Sequence, residues 1–111
     1  MALPHHEPCS PITITPLGEQ LDGAQSHALF KSEQLEVMRV VLKAGKSLPS
    51  HHVNGEVTVQ CIEGRLDVMV TAGARTLEMG QMLYLPAKEE HALHALEDTS
   101  ALVTVVLQPA A

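Results

Sequence analysis

The segment GKSLPSHHVNGEVTVQCIEG, residues 45–64, decides the fold because it joins a pair of histidines to a strand pattern. In its second half Val57, Val59 and Cys61 alternate with polar residues. Strict alternation of apolar and polar residues is typical of a β-strand with one buried face. Gly64 follows this run, and glycine is a strong turn signal. The segment therefore predicts a half-buried strand that ends in a tight turn.

The same pattern recurs along most of the chain, between turns that contain glycine or proline. It predicts further strands at residues 35–43, 66–71, 75–78, 82–85, 91–96 and 101–107. Many short strands at regular spacing favour an all-β sandwich or barrel. No stretch has a helical stripe with caps, and residues 17–30 form the one ambiguous segment.

Composition limits the classes of function. The chain has 111 residues, which fits a single domain, and its core must be aliphatic because aromatic residues make up only 2%. A net charge of −6 without a basic cluster disfavours nucleic acid and anionic membranes as partners. No apolar run approaches the roughly 20 residues of a membrane span, and the N-terminus lacks the features of a signal peptide. We therefore expect a cytoplasmic protein.

The prolines divide the chain into two parts. Residues 1–18 contain four prolines, which predicts a Pro-rich arm that is mostly irregular and in which residues 12–15 could form a short edge strand. Residues 19–111 form the predicted barrel domain. Cys61 lies in an apolar strand and is expected to be a buried, reduced thiol, and nothing supports a disulfide between it and Cys9.

Two segments carry a resemblance to a known family. Residues 45–64 and 80–91 resemble the two motifs of small single-domain cupins, and the matching positions are Gly45, His51, Gly64, Gly80, Pro86 and His91. The resemblance implies a cupin jelly-roll barrel. Its second histidine position holds Val53, its glutamate position holds Val57, and the glycine position of the second motif holds Lys88.

The resemblance also implies a site inside the barrel. Cupins usually hold a metal with three histidines and a glutamate, and of these only His51 and His91 stand at matching positions. The predicted ligand pocket consists of His51, Val53, Val57, Cys61 and His91. His51 and His91 are the predicted ligands of one divalent transition metal, which would be Fe, Mn, Zn or Ni.

A local shift of the chain could add a third metal ligand. A bulge around Asn54 and Gly55 would bring Glu56 inward, and His52 is the other candidate. Strand alternation argues against Glu56, because it makes Val57 an inward residue. Alternation also places His94 on the face opposite His91.

Two functions remain open from the sequence. The first is a metal-dependent enzyme of the dioxygenase, isomerase or decarboxylase type that acts on a small organic molecule. The alternative is a metal-free module that binds or senses a small molecule in the same pocket. For partners, we expect a homodimer, since single-domain cupins commonly pair and Leu102 and Val106 are expected to face outward.

Overall fold

The alternating runs form antiparallel strands in the computed structural model, which describes residues 6–108. Within this range a 3₁₀ helix and nine strands follow one another: the helix at Gly18–Gly23, then β1 His27–Lys31, β2 Leu35–Leu42, β3 Ser47–His51, β4 Val57–Glu63, β5 Arg65–Val70, β6 Gly73–Glu78, β7 Met82–Leu85, β8 His91–Ala95 and β9 Thr99–Val106. Residues 1–5 of the predicted arm, including His5, and residues 109–111 of the predicted barrel domain lie outside the described range.

The strands form two facing sheets. One has the order β1-β2-β9-β4-β7 and the other the order β3-β8-β5-β6, and neighbouring strands in both are antiparallel. Side chains from both sheets fill one core, with Val59 and Val103 on one side and Leu66, Val68 and Leu93 on the other. The predicted all-β jelly-roll barrel is confirmed.

Alternation along β4 works as the sequence predicts. Val57, Val59 and Cys61 are buried in the core, whereas Thr58 and Gln60 on the opposite face are partly exposed. Burial of an aliphatic side chain of this size contributes roughly 1.5–3 kcal/mol. The period-two pattern therefore fixes which face of the strand meets the opposite sheet.

The structure departs from the predicted strands at three places. The ambiguous segment holds the 3₁₀ helix and β1, and β3 forms around Pro49 although no strand is predicted there. Proline is tolerated in β3 because this strand lies at the edge of its sheet. The edge strand considered at residues 12–15 does not form, since prolines flank it and the carbonyl of Thr13 accepts from the Arg39 guanidinium instead of a neighbouring strand.

The arm is anchored by a polar network on the outer face of the larger sheet. The Glu63 carboxylate accepts hydrogen bonds from the backbone N–H groups of Leu17 (2.8 Å) and Gly18 (3.0 Å) and from the hydroxyl of Ser100. Arg39, only 4% exposed, donates to Ser100 and to the arm. The network fixes where the arm joins the barrel.

Gly64 makes the turn between β4 and β5 possible. Its φ of +85° lies in the left-handed region, and a Cβ there would collide with the Asp98 carbonyl oxygen. Only glycine fits both constraints. This turn leads β4 of one sheet directly into β5 of the other.

No helix within residues 6–108 has the length and apolar character needed to cross a membrane.

Candidate functional site

A cavity of about 650 Å³ opens at one end of the barrel, between the two sheets. Most of its wall is aliphatic and comes from both sheets; Met38, Val40, Leu48, Val57, Leu93 and Val103 are examples. Its polar wall includes His51, His91, Glu33 and Glu36. A cavity of this size with few polar groups is typical of small-molecule sites.

A β-bulge turns His51 towards the cavity. Leu48 pairs with Leu93 and His51 pairs with His91, so β3 has one more residue than β8 between the two pairs. Without the extra residue, positions three apart on a strand would face opposite sides. Because of the bulge, both Leu48 and His51 line the cavity.

His51 and His91 lie side by side on neighbouring strands. Their ring centroids are 4.6 Å apart and the ring planes are inclined by 53°. The two histidines were predicted to share one pocket, and the structure brings them together there as cross-strand partners. The reason is the pairing of β3 with β8, in which opposite residues approach within about 5 Å.

Backbone carbonyls fix the proton position on both rings. Nδ1 of His51 lies 3.2 Å from the Pro49 oxygen, and Nδ1 of His91 lies 3.0 Å from the Glu89 oxygen. A carbonyl can only accept, so each Nδ1 carries the proton and donates. In the neutral rings each Nε2 then keeps an unprotonated lone pair. The cavity therefore presents two neighbouring hydrogen-bond acceptors, which can also act as metal ligands.

The loop before β8 is held in place by hydrogen bonds. The Glu89 carboxylate accepts from the hydroxyl (2.7 Å) and the N–H (3.1 Å) of Thr71, and these bonds lower the pKa of Glu89. Lys88 donates its N–H to the carbonyl of Val53 and has a φ of +66°. This conformation explains why the cupin motif has glycine where this chain has Lys88.

The remaining sequence-predicted site residues are not all at the cavity. Val53 and Val57 line it, whereas Cys61 is buried in the core and His52 is exposed. The bulge of this region lies between Leu48 and His51 and not around Asn54 and Gly55.

Glu56 is among the candidates that lie away from the cavity. Its carboxylate accepts a hydrogen bond of 2.7 Å from Tyr84, which raises the pKa of the Tyr84 hydroxyl. His94 lies on the outer face of β8, where its Nδ1 is 2.6 Å from the Ser47 hydroxyl. The structure therefore does not bring Glu56 or His94 to the two cavity histidines.

The side chains of residues 6–108 do not assemble the four-ligand set that the resemblance implies. Across residues 6–108, no group of three His, Cys, Asp or Glu side chains is arranged to hold a metal ion. Val53 and Val57 offer methyl groups where the motif has donor atoms. The donor set near the cavity histidines therefore consists of two imidazoles, whereas catalytic zinc sites use three protein ligands.

The cavity wall also contains two acidic residues that were not predicted from the sequence, Glu33 and Glu36. Glu36 pairs with Val105 and belongs to the same face of β2 as Met38 and Val40. A carboxylate on the inward face of an otherwise apolar strand is the signal that could have identified it. Glu33 lies in the turn before β2, where no periodicity points to it.

Known proteins share this fold. The cupin domain family model matches residues 38–107, and none of the curated proteins compared with the chain matches it. The structure is similar to that of a conserved protein of unknown function from Streptococcus pyogenes, with a TM-score of 0.77 and 22% identity over 99% of this chain and 100% of that one.

Two further solved structures extend the comparison. A cupin superfamily protein from Desulfitobacterium hafniense gives a TM-score of 0.77 at 17% identity, covering 97% of this chain and 100% of that one. A DMSP lyase from Ruegeria pomeroyi gives a TM-score of 0.68 at 22% identity, covering 77% of this chain and 48% of that one. At these identities the structural similarities show a common fold. The family model matches more than half of the sequence. The chain is a member of the cupin domain family.

Proposed function

We propose that the protein is a metal-free binding module that holds a small, largely apolar molecule in the barrel cavity. The observation that carries this proposal is the pair Val53 and Val57, which lines the cavity where the cupin motif has metal ligands. These valines extend an aliphatic wall up to the histidine pair. The wall would bury the body of a ligand, and the two imidazoles would orient its polar head.

The volume supports a ligand of modest size. A cavity of about 650 Å³ lies within the range of about 300–1,000 Å³ that is usual for small-molecule sites. Removing apolar ligand surface from water contributes roughly 25 cal/mol per Å². An apolar body therefore supplies most of the binding free energy, and the histidines supply specificity.

Calorimetry with indole tests this function. Indole is a neutral apolar molecule with one N–H donor, and we expect the chelator-treated protein to bind it. Replacing His51 by Ala should weaken binding about tenfold because one acceptor is lost. Replacing the neighbouring His52 by Ala is the matched control, since His52 is exposed and does not line the cavity. Binding that requires added metal, or equal loss in both variants, would contradict the proposal.

A metal-dependent enzyme is the second candidate function. The orientation of the two rings favours it, because metal-binding histidines usually donate their other ring N–H to a carbonyl or carboxylate. His51 and His91 would hold a divalent transition metal, and water or substrate would complete the shell. The test is metal analysis of the protein as purified, in which about one bound ion per chain that is lost in His91→Ala would favour this candidate.

The homodimer and the cytoplasmic location stay predictions. The outer face of the larger sheet offers the partly exposed Leu102 and Val106, and edge strand β7 adds the exposed Met82 and Tyr84. These residues support an interface with a second copy of the chain. Light scattering should give twice the monomer mass at micromolar concentration, and a monomer mass would contradict the prediction.

A further inference from the structure

The charged residues of the cavity wall all have the same sign. Glu33 and Glu36 are acidic, and among residues 6–108 no lysine or arginine lines the cavity. Neither glutamate takes part in an ion pair within residues 6–108. The chain as a whole carries a net charge of −6. An anionic ligand would therefore meet repulsion and would find no cation to pair with.

The histidine pair also favours a cationic ligand over an anionic one. Because each Nδ1 donates to a backbone carbonyl, the neutral rings offer two Nε2 acceptors and no donor to a ligand. Two adjacent acceptors match a head group with several N–H donors, and an ammonium group has three. A carboxylate has only acceptors and would leave both Nε2 atoms unpaired, which costs affinity.

Within residues 6–108, no cationic side chain forms an ion pair with Glu36. It lies on the inward face of β2, opposite Val105, in a row that otherwise faces the core. Its side chain is partly exposed at the cavity, so water solvates the carboxylate while no ligand is bound. A cationic ligand in the cavity would pair with this carboxylate.

We infer that the ligand is an apolar amine, whose ammonium group meets the two Nε2 atoms and the field of Glu36 and whose apolar body lies against the aliphatic wall. This inference rests on the proposed binding function and specifies its ligand class. It ranks carboxylates and phosphates below amines, because they bring a negative charge to an acidic cavity wall and no N–H donor for the Nε2 atoms.

Three probes with a phenyl body separate the head groups: 2-phenylethylamine, 2-phenylethanol and 3-phenylpropanoate. Titration calorimetry of the full-length, chelator-treated protein at neutral pH and low salt measures each dissociation constant. We expect the amine to bind at least about tenfold tighter than the carboxylate, with the alcohol between them. Glu36→Gln should weaken amine binding by about three- to tenfold and change alcohol binding less than twofold, since only the amine is charged.

Glu90→Gln is the matched control, because Glu90 is exposed on the loop before β8 and does not line the cavity. It should change neither affinity more than twofold. Carboxylate binding equal to or tighter than amine binding overturns the ligand class while leaving the proposed pocket intact. Equal effects of Glu36→Gln on amine and alcohol, or no amine binding at millimolar concentration in a protein that binds indole, also overturn the ligand class. Loss of indole binding as well would overturn the proposed function itself.

Discussion

Two clusters of polar side chains lie among the apolar residues of this barrel, one beneath the arm and one at the cavity. They differ in how many of their hydrogen-bonding atoms have a partner within the protein. Beneath the arm, Glu63 accepts from the backbone and from Ser100, and Arg39 donates to Ser100 and to Thr13. The partners of these side chains come from the protein itself. Such a network adds stability, because protein groups donate to and accept from its charged side chains.

At the cavity, the histidines are satisfied at one nitrogen only. Nδ1 of His51 and of His91 is held by a carbonyl, and Nε2 remains for whatever enters the cavity. We expect the arm network to contribute to stability and the histidine pair to contribute to ligand binding. Substitutions in the two regions should therefore separate stability from binding.

The largest expected effect is on stability, at Glu63. Replacing Glu63 by Ala removes three hydrogen bonds to a charged acceptor and leaves Arg39 without its nearby carboxylate, which should lower the free energy of unfolding by about 2–4 kcal/mol. Urea unfolding measures this change, and indole affinity should stay within twofold. Glu97→Ala, at an exposed carboxylate, is the control. A Glu63→Ala protein of normal stability would contradict the structural role of the network.

Metal binding should be recovered by restoring one motif position. Val53→His would place a third imidazole at the cavity, and we expect zinc affinity to rise about a hundredfold, or about 2.7 kcal/mol. Competition with a chromophoric chelator measures the affinity. Thr58→His, on the outer face of β4, should give no gain. If Val53→His also gives no gain, Val53 does not mark a ligand position.

For the two histidines of β8, the face of the strand on which each lies should decide how its replacement affects ligand binding. His91→Ala should weaken indole binding about three- to tenfold, because the single N–H donor of indole is left with one of its two possible acceptors. His94→Ala should change it less than twofold, since His94 lies on the outer face and contacts Ser47. Equal losses in the two variants would mean that the inward face of β8 is wrongly assigned.

Acid should remove the stabilising contribution of the Glu63 carboxylate to the arm network. Burial raises the pKa of Glu63, but hydrogen bonds from Ser100, Leu17 and Gly18 and the charge of Arg39 outweigh burial and hold the pKa below its ordinary value of 4.5. As pH falls, the unfolded chain takes up this proton before the folded chain does. The contribution of Glu63 is therefore present above pH 4.5 and is lost as pH falls through the lowered pKa.

Unfolding measured between pH 6 and pH 3 checks this expectation. Stability should fall less steeply in Glu63→Gln than in the parent protein, because the variant lacks the titrating group. Identical slopes would show that Glu63 has the same pKa in the folded and unfolded chains.

The smallest expected effect is at Lys88. Its φ of +66° is unfavourable for a residue with a side chain, so Lys88→Gly removes a strain of about 1 kcal/mol, partly offset by the greater freedom of glycine in the unfolded chain. We expect a net stabilisation of about 0.5 kcal/mol in urea unfolding, with the Val53 carbonyl contact retained. Destabilisation would indicate that the Lys88 side chain contributes an interaction of its own.

The fold could be predicted from local pattern. Alternation in β4 and the turn at Gly64 follow from the residues themselves, because side chains on a strand change face at every residue and only glycine fits that turn. The strand and the turn depend on a few neighbouring residues, and so they can be read from the sequence. The shared pocket of His51 and His91 was predicted only through the resemblance to the cupin motifs, because their meeting depends on the pairing of two distant strands.

The details of the site required the tertiary structure. The bulge that turns His51 inward exists only in the pairing of β3 with β8, and Pro49 and Ser50 give no period-two signal for it. The proton positions on the rings depend on the carbonyls of Pro49 and Glu89. Glu36 joins the cavity because β2 lies in the sheet with that face inward. Contacts between residues distant in sequence decide which polar atoms remain unpaired, and local sequence pattern does not encode those contacts.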